Sequence, residues 1–316
     1  MSDYLDKEIH RCRKALKNPY AYLGPDDGYE AILPTQEPEV HRVRRQLEDP
    51  YAFLDGNGEY GVYSQGQSDG ATPKINVNGL LDGLVRGARL RKAEIEKIVR
   101  KLQAELWIRR AEFLPDASDV GPIDLLDPRI ALEALGFRVN VQESLGGFSA
   151  DGQAFVVAGT IEHAEAEVQI SRRFAPEIRR FTMAHELAHA ILHEGTGLHR
   201  DRALDGAQEQ QSRDRKETEA DNFAAFFLMP SKPLAAEFKQ RFLTQSFALD
   251  EATAFALNAG GFEALHDRCR SLRDLTRILA SAKQFDGKHF HSLSDAFGVS
   301  AEAMAIRLEE VGLVRF

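Results

Sequence analysis

Cysteine and tryptophan are almost missing from this chain: 316 residues hold two cysteines, Cys12 and Cys269, and one tryptophan. Two distant thiols exclude a disulfide framework, and they form no C-x-x-C metal spacing. They read as ordinary reduced thiols, with metal ligation by one thiolate as the alternative. No run approaches the roughly 18 consecutive apolar residues of a membrane-spanning helix. The first 17 residues are charged throughout and lack the hydrophobic stretch of a secretion signal, so a cytoplasmic protein without membrane contact is expected. Excess positive charge is also missing. A formal net charge of −9 makes direct nucleic-acid binding a poor expectation, because such binding draws on a positive field that displaces counterions; a local basic patch stays open. What is present, 43% apolar and 28% charged residues, is the composition of a globular protein.

The first 54 residues contain a short repeat. Leu16-Lys17-Asn18-Pro19-Tyr20-Ala21-Tyr22-Leu23 returns as Leu47-Glu48-Asp49-Pro50-Tyr51-Ala52-Phe53-Leu54. Two copies are too few for a solenoid, and their role is not legible. Residues 55–79 hold six glycines with Ser, Asn, Asp and Pro, the composition of a flexible linker. From Leu80 to Leu114 apolar residues recur at three- and four-residue spacings, which predicts helix up to Pro115. A short helix over Pro128–Leu135, ending at Gly136, comes next. Strand-like runs follow at Phe137–Val141, Ala154–Val157 and Glu167–Ile170. Helices dominate beyond these, apart from a polar stretch, Glu194–Lys216, that reads as a long surface loop. The fold class is α+β, a small sheet beside a mostly helical body. The expected division is 1–54, the linker 55–79, a core over 80–235 and a helical part over 236–316.

The chemistry is concentrated in Phe181-Thr182-Met183-Ala184-His185-Glu186-Leu187-Ala188-His189-Ala190-Ile191-Leu192, which contains H-E-x-x-H. Helical residues four apart are separated by about 6 Å of rise and about 40° of rotation, so His185 and His189 can converge on one ion. Glu186 lies about 100° around, beside the ion, where it can take a proton from water. The other residues of this stretch are apolar but for Thr182, as in a buried helix. Burying two histidines and a glutamate there is costly unless something pairs with them. A third ligand should come from the helix before Pro230. Glu219 shares the buried stripe of Phe223 and Phe226, whereas Glu217 and Asp221 fall on other faces and read as solvated or supporting groups. Asp221 can orient a ligand imidazole. His193 continues a four-residue ladder, but about 12 Å of helix separates it from His185, so it is expected in a supporting role rather than as a ligand.

These residues resemble the ImmA/IrrE family of metallopeptidases. The resemblance is carried by the strand Val168-Gln169-Ile170, by Arg180 to His189, and by Glu219-Ala220-Asp221-Asn222-Phe223-Ala224 running into Leu228-Met229-Pro230. A further similar stretch is Leu293–Val314, with Phe297-Gly298-Val299-Ser300 and Arg307-Leu308. Coverage runs from about 80 to 316. The resemblance implies a zincin-like core with a C-terminal helix-turn-helix-like part, and one zinc ion per chain held by His185, His189 and Glu219, with Glu186 as base. It also implies an intracellular endopeptidase whose partner and substrate is a helix-turn-helix transcriptional repressor, cleaved to release stress, mobile-element or phage-defence genes.

A substrate segment would then lie along Val168, Gln169 and Ile170 by strand addition. The oxyanion donor is open, since all seven tyrosines lie in the first 63 residues. His193, His199, His289, His291 or an N-terminal tyrosine would have to supply it. The competing reading is a zinc-containing regulator that sequesters a repressor or binds DNA without cutting. For DNA, the helix after Ser300 carries Glu302, Glu309 and Glu310 against Arg307, a poor match to phosphate.

Overall fold

A computed structural model of the chain describes residues 75–82, 89–114, 121–150, 153–193, 197–203, 215–257 and 261–316. The aromatic repeat, most of the glycine-rich stretch, Cys12 and every tyrosine lie outside the described residues.

Short helix α1 (Val77–Leu80) opens on Asn76, whose side chain accepts the Asn78 N–H at 2.9 Å. It lies largely within the range read as linker, and Ile75 and Leu80 are buried. Helix α2 (Lys92–Ile108) buries Ile95, Ile98, Val99, Leu102 and Leu106 along one stripe, the spacing that predicted it. A one-turn helix α3 (Arg110–Phe113) follows. Helix α4 (Pro128–Ala134) has Pro128 in its first turn, and the Asp127 carboxylate accepts the Arg129 N–H at 2.8 Å, so a lost donor and a capped donor begin the helix together. Gly136, at φ 88°, turns the chain into the sheet in the left-handed region open to glycine.

The main sheet has five strands: β1 (Arg138–Gln142), β2 (Gly147–Ala150), β3 (Gln153–Glu162), β4 (Glu167–Ser171) and β5 (Gly197–Ala203). β4 pairs parallel with β1 and antiparallel with β3. Gly159, Thr160 and Ile161 pair with both β4 and β5, so these two flank β3 on opposite edges. The first residues of β3 pair with β2, opposite β5. Two expectations are corrected here. Val168, Gln169 and Ile170 sit in the interior strand β4, with partners on both sides, so no peptide can add there; the alternation that made them a strand says which face is buried, not which neighbours pair. The polar stretch after residue 193 is not only loop, because seven of its residues form β5.

Across one face of this sheet lies helix α5 (Pro176–Leu192), packed on β3, β4 and α4 and most extensively on α6 (Arg215–Leu228). Ala184 and Ala188 are fully buried, and side chains that small let neighbouring elements come close. Phe223 and Phe227 of α6 anchor it, and the Gln103 side chain of α2 donates to the Phe227 carbonyl at 3.0 Å. Beyond Pro230 come α7 (Ser231–Phe242), α8 (Glu251–Ala256), α9 (Phe262–Arg268), α10 (Leu272–Ser281), α11 (Leu293–Phe297) and α12 (Ala301–Val311). Two-residue strands β6 (Phe247–Ala248) and β9 (Val314–Arg315) pair in parallel, and β7 (Gln284–Phe285) with β8 (Lys288–His289) makes a small hairpin.

Gly298, at φ 60°, joins α11 to α12, and Ser300 caps α12 by accepting the Ala303 N–H at 3.2 Å. One apolar cluster runs from Ile75 to Val314, and the expected boundary at 235/236 falls inside α7. Among the described residues no helix is long and apolar enough to cross a membrane.

Candidate metal centre

Helices α5 and α6 meet with two pairs of residues, each four apart, facing one another. From α5 come His185 and His189, both buried; from α6 come Glu217 and Asp221, each 28% exposed at the side chain. The Nε2 atoms of His185 and His189 are 3.1 Å apart. Glu217 Oε2 lies 3.1 Å from His185 Nε2, and Glu217 Oε1 lies 3.5 Å from His189 Nε2. These are the three residues among those described whose donor atoms gather closely enough to hold a metal ion. Asp221 Oδ1 stands 3.0 Å from His185 Nδ1, on the far side of that ring, a position from which it can orient the imidazole.

Glu219 is elsewhere. Its Oε1 accepts the Leu90 N–H at 3.0 Å and pairs with Arg215 Nε at 3.2 Å; its Oε2 faces His193 Nε2 at 3.2 Å. The structure therefore brings Glu217, not Glu219, to the two histidines. The inference that a buried carboxylate needs a positive partner is sound, since Glu219 is buried, but Arg215, a main-chain N–H and an imidazole satisfy it. A catalytic metal has to be reached by substrate, so its carboxylate ligand need not be the most buried one. His193, the residue that ends α5, has extended backbone angles and places its Nδ1 3.0 Å from His189 Nδ1. Burial pushes the His193 imidazole below its ordinary pKa, against the opposing pull of Glu219. With both ring nitrogens engaged, His193 is not placed as an oxyanion donor.

Glu186 is fully buried and faces β3. A side-chain carbon added to Gly159 would come within 2.6 Å of Thr182 Cγ2 and 2.9 Å of Glu186 Oε1. Gly159 thus lets the strand lie directly on the helix beside the glutamate. Sequence reading missed it, although a glycine inside a strand is the usual mark of a close backbone approach. Also missed is His163, whose Nε2 lies 3.2 Å from the His189 carbonyl at the end of α5. Of the other histidines considered, His199 belongs to β5, and His289 and His291 are exposed around the β7–β8 hairpin. Cys269 is buried in the apolar cluster, and burial pushes its thiol up in pKa. It is not among the residues that gather as a candidate metal site.

The donor set fits zinc. Two imidazole nitrogens and a carboxylate oxygen are zinc's common catalytic ligands. Bonds of about 2.0–2.1 Å to a tetrahedral ion set its ligands roughly 3.3–3.4 Å apart, close to the 3.1, 3.1 and 3.5 Å found. With the His185 proton on Nδ1 toward Asp221, its Nε2 lone pair points at a carboxylate and another imidazole. That arrangement asks for a cation at the centre.

Residues 136–256 match the family model Peptidase_M78, described as the IrrE N-terminal-like domain. The match starts at the turn into β1 and ends with α8, so it contains both site helices; it stops short of the stretch from Leu293. Among curated proteins, nothing matches the chain. This match agrees with the resemblance to the ImmA/IrrE family that the motif residues carry. The chain's mixed α+β architecture fits a zincin-like metallopeptidase domain.

Proposed function

We propose that this chain is a zinc-dependent endopeptidase that cleaves a helix-turn-helix transcriptional repressor and so relieves repression of stress, mobile-element or phage-defence genes. The observation that carries the reading is the convergence of His185, His189 and Glu217 next to Glu186 inside a peptidase-family domain. His185, His189 and Glu217 would hold the ion, which when bound makes water more acidic and polarises a carbonyl. Glu186 takes the proton as the water oxygen adds to the scissile carbonyl carbon. It then returns that proton to the amide nitrogen as the C–N bond breaks, leaving a carboxylic acid and an amine, which exchange a proton to become carboxylate and ammonium. Asp221 holds His185 in the tautomer whose Nε2 is free to bind.

An extended substrate segment would add to a sheet edge. β4 is interior, so the edge proposed is the far side of β5, which runs beside the part of β3 that contains Gly159. DNA binding through α12 has little support. Its Glu302 and Glu309 are taken up by Arg273 and Arg277 of α10, and its Arg307 is buried.

The test is co-expression with the helix-turn-helix repressor encoded nearest the gene, following repressor size for wild type and Glu186→Gln. Cleavage by wild type alone is expected. An intact repressor whose regulation is nonetheless relieved in stoichiometric proportion would replace cleavage by sequestration.

A further inference from the structure

We propose that His193 and Glu219 are positioning residues, forming a hydrogen-bonded chain that fixes His189 for the metal as Asp221 fixes His185. The inference rests on the reading of His185, His189 and Glu217 as zinc ligands. A neutral imidazole that binds through Nε2 must carry its proton on Nδ1, and that proton needs an acceptor when the ring is buried. For His185 the acceptor is the Asp221 carboxylate at 3.0 Å. For His189 the group that faces Nδ1 is another imidazole nitrogen, His193 Nδ1, at 3.0 Å.

Two facing imidazole nitrogens make a hydrogen bond only when one donates and the other accepts. Since His189 Nδ1 donates, His193 Nδ1 accepts, and the His193 proton must sit on Nε2. That nitrogen faces Glu219 Oε2 at 3.2 Å, so it donates to the carboxylate. Glu219 is held in turn by the Leu90 N–H at 3.0 Å and by Arg215 at 3.2 Å. Every proton position from Glu219 to His189 Nε2 follows from one requirement, the free lone pair on the ligand. The chain is also sheltered: His193 and Glu219 side chains are 7% and 6% exposed, and His189 is buried. Water cannot readily replace either link.

The assignment gives the two site glutamates of α6 separate tasks. Glu217 binds the ion, and Glu219, two residues on, steadies a ligand through an intermediate ring. It also accounts for the four-residue ladder His185, His189, His193 without a third histidine at the metal.

The experiment measures zinc affinity of the purified full chain by chelator competition, with the visible spectrum of the cobalt-substituted protein as a second readout. Folding of each variant is checked by circular dichroism. His193→Phe and Glu219→Met should each weaken zinc binding by about 10–100-fold and shift the cobalt bands, and the double variant should be no worse than the weaker single. His193→Gln, whose amide can accept from His189 and donate to Glu219, should recover most of the affinity. Should His193→Phe fail to fold, Glu219→Met and the partial rescue by His193→Gln carry the test.

Wild-type affinity and spectrum in Glu219→Met together with His193→Gln no better than His193→Phe would overturn the proposal. So would a loss in Glu219→Met as complete as that in Glu217→Gln, which would make Glu219 a ligand. Glu217→Gln tests the underlying reading separately. Undiminished zinc binding in that variant would remove Glu217 from the metal, whatever His193 does.

Discussion

Gly159 shows how tightly single residues constrain this site. It lies where β3 crosses α5, and any side chain there must push against Thr182 and the Glu186 carboxylate, at 2.6 and 2.9 Å. Gly159→Ala should therefore cost about 1–3 kcal/mol of stability, the range for forcing an extra methyl into a packed contact. It should also lower kcat at least tenfold, because the displaced group is the proposed base. Adding Thr182→Ser, which removes the closest methyl, should recover part of the stability but little of the activity; thermal unfolding and peptide cleavage of the three variants check this. Part of the site was legible at this scale. His185, Glu186 and His189 share one helix, so their spacing alone implies convergence. The third carboxylate was not legible, because helical phase reports which of Glu217, Glu219 and Asp221 is most buried, and burial here selects Glu219, which faces Arg215, the Leu90 N–H and His193 rather than the paired histidines. Gly159 escaped because its constraint comes from α5, which follows it in the chain and meets it only in the fold.

The same distinction between local pattern and partner holds for whole elements. β1, β3 and β4 announced themselves by β-branched and aromatic runs, and α5 and α6 by apolar stripes with proline at one end. β5 did not, since Gly197-Leu198-His199-Arg200-Asp201-Arg202-Ala203 has little β propensity and is a strand through its main-chain pairing with β3. That β4 lies between two strands is likewise a property of the sheet and is invisible in β4 itself. Element packing also decides what keeps the candidate ligands together. α6 is held by Phe223 and Phe227, both fully buried with ring centres 6.4 Å apart, so Glu217 and Asp221 keep their places only while that side of the helix is anchored. Phe227→Ala should destabilise the protein by about 3–5 kcal/mol and weaken zinc binding without touching a ligand. Phe255→Ala, at a ring 83% exposed, should change neither, as denaturant unfolding and chelator competition on the pair would record.

At the scale of the molecule, the helices after α7 are joined to the metallopeptidase core rather than appended to it, and composition gave no sign of this because both parts have ordinary helical patterning. Arg307 of α12 donates to the Met229 carbonyl at 2.9 Å and lies over the Phe226 ring, at the end of the helix that carries Glu217. Lys92 of α2 reaches Glu310 of α12 at 2.8 Å. Within the C-terminal part, Arg273 of α10 bonds both Glu309 and Glu302 of α12 at 2.6–2.9 Å, and Arg277 bonds Glu302 at 2.5 Å. The guanidinium of Arg277 holds the Glu302 carboxyl below its ordinary pKa, and that of Arg273 does the same for Glu309. A depressed carboxylate stabilises the fold above its unfolded-state value and loses that contribution as pH falls through the folded one. The network is part-exposed, with 44% and 33% of the Glu302 and Arg273 side chains accessible, so solvent screening limits it to about 1 kcal/mol or less. Arg273→Met should therefore lower Tm by about 2 °C near pH 7, and the gap between variant and wild type should close below about pH 4 as the glutamates protonate. Following that difference at each pH cancels whatever acid sensitivity both proteins share. A gap that stayed constant down to pH 3 would mean that Arg273 joins α10 to α12 through its hydrocarbon stem rather than its charge.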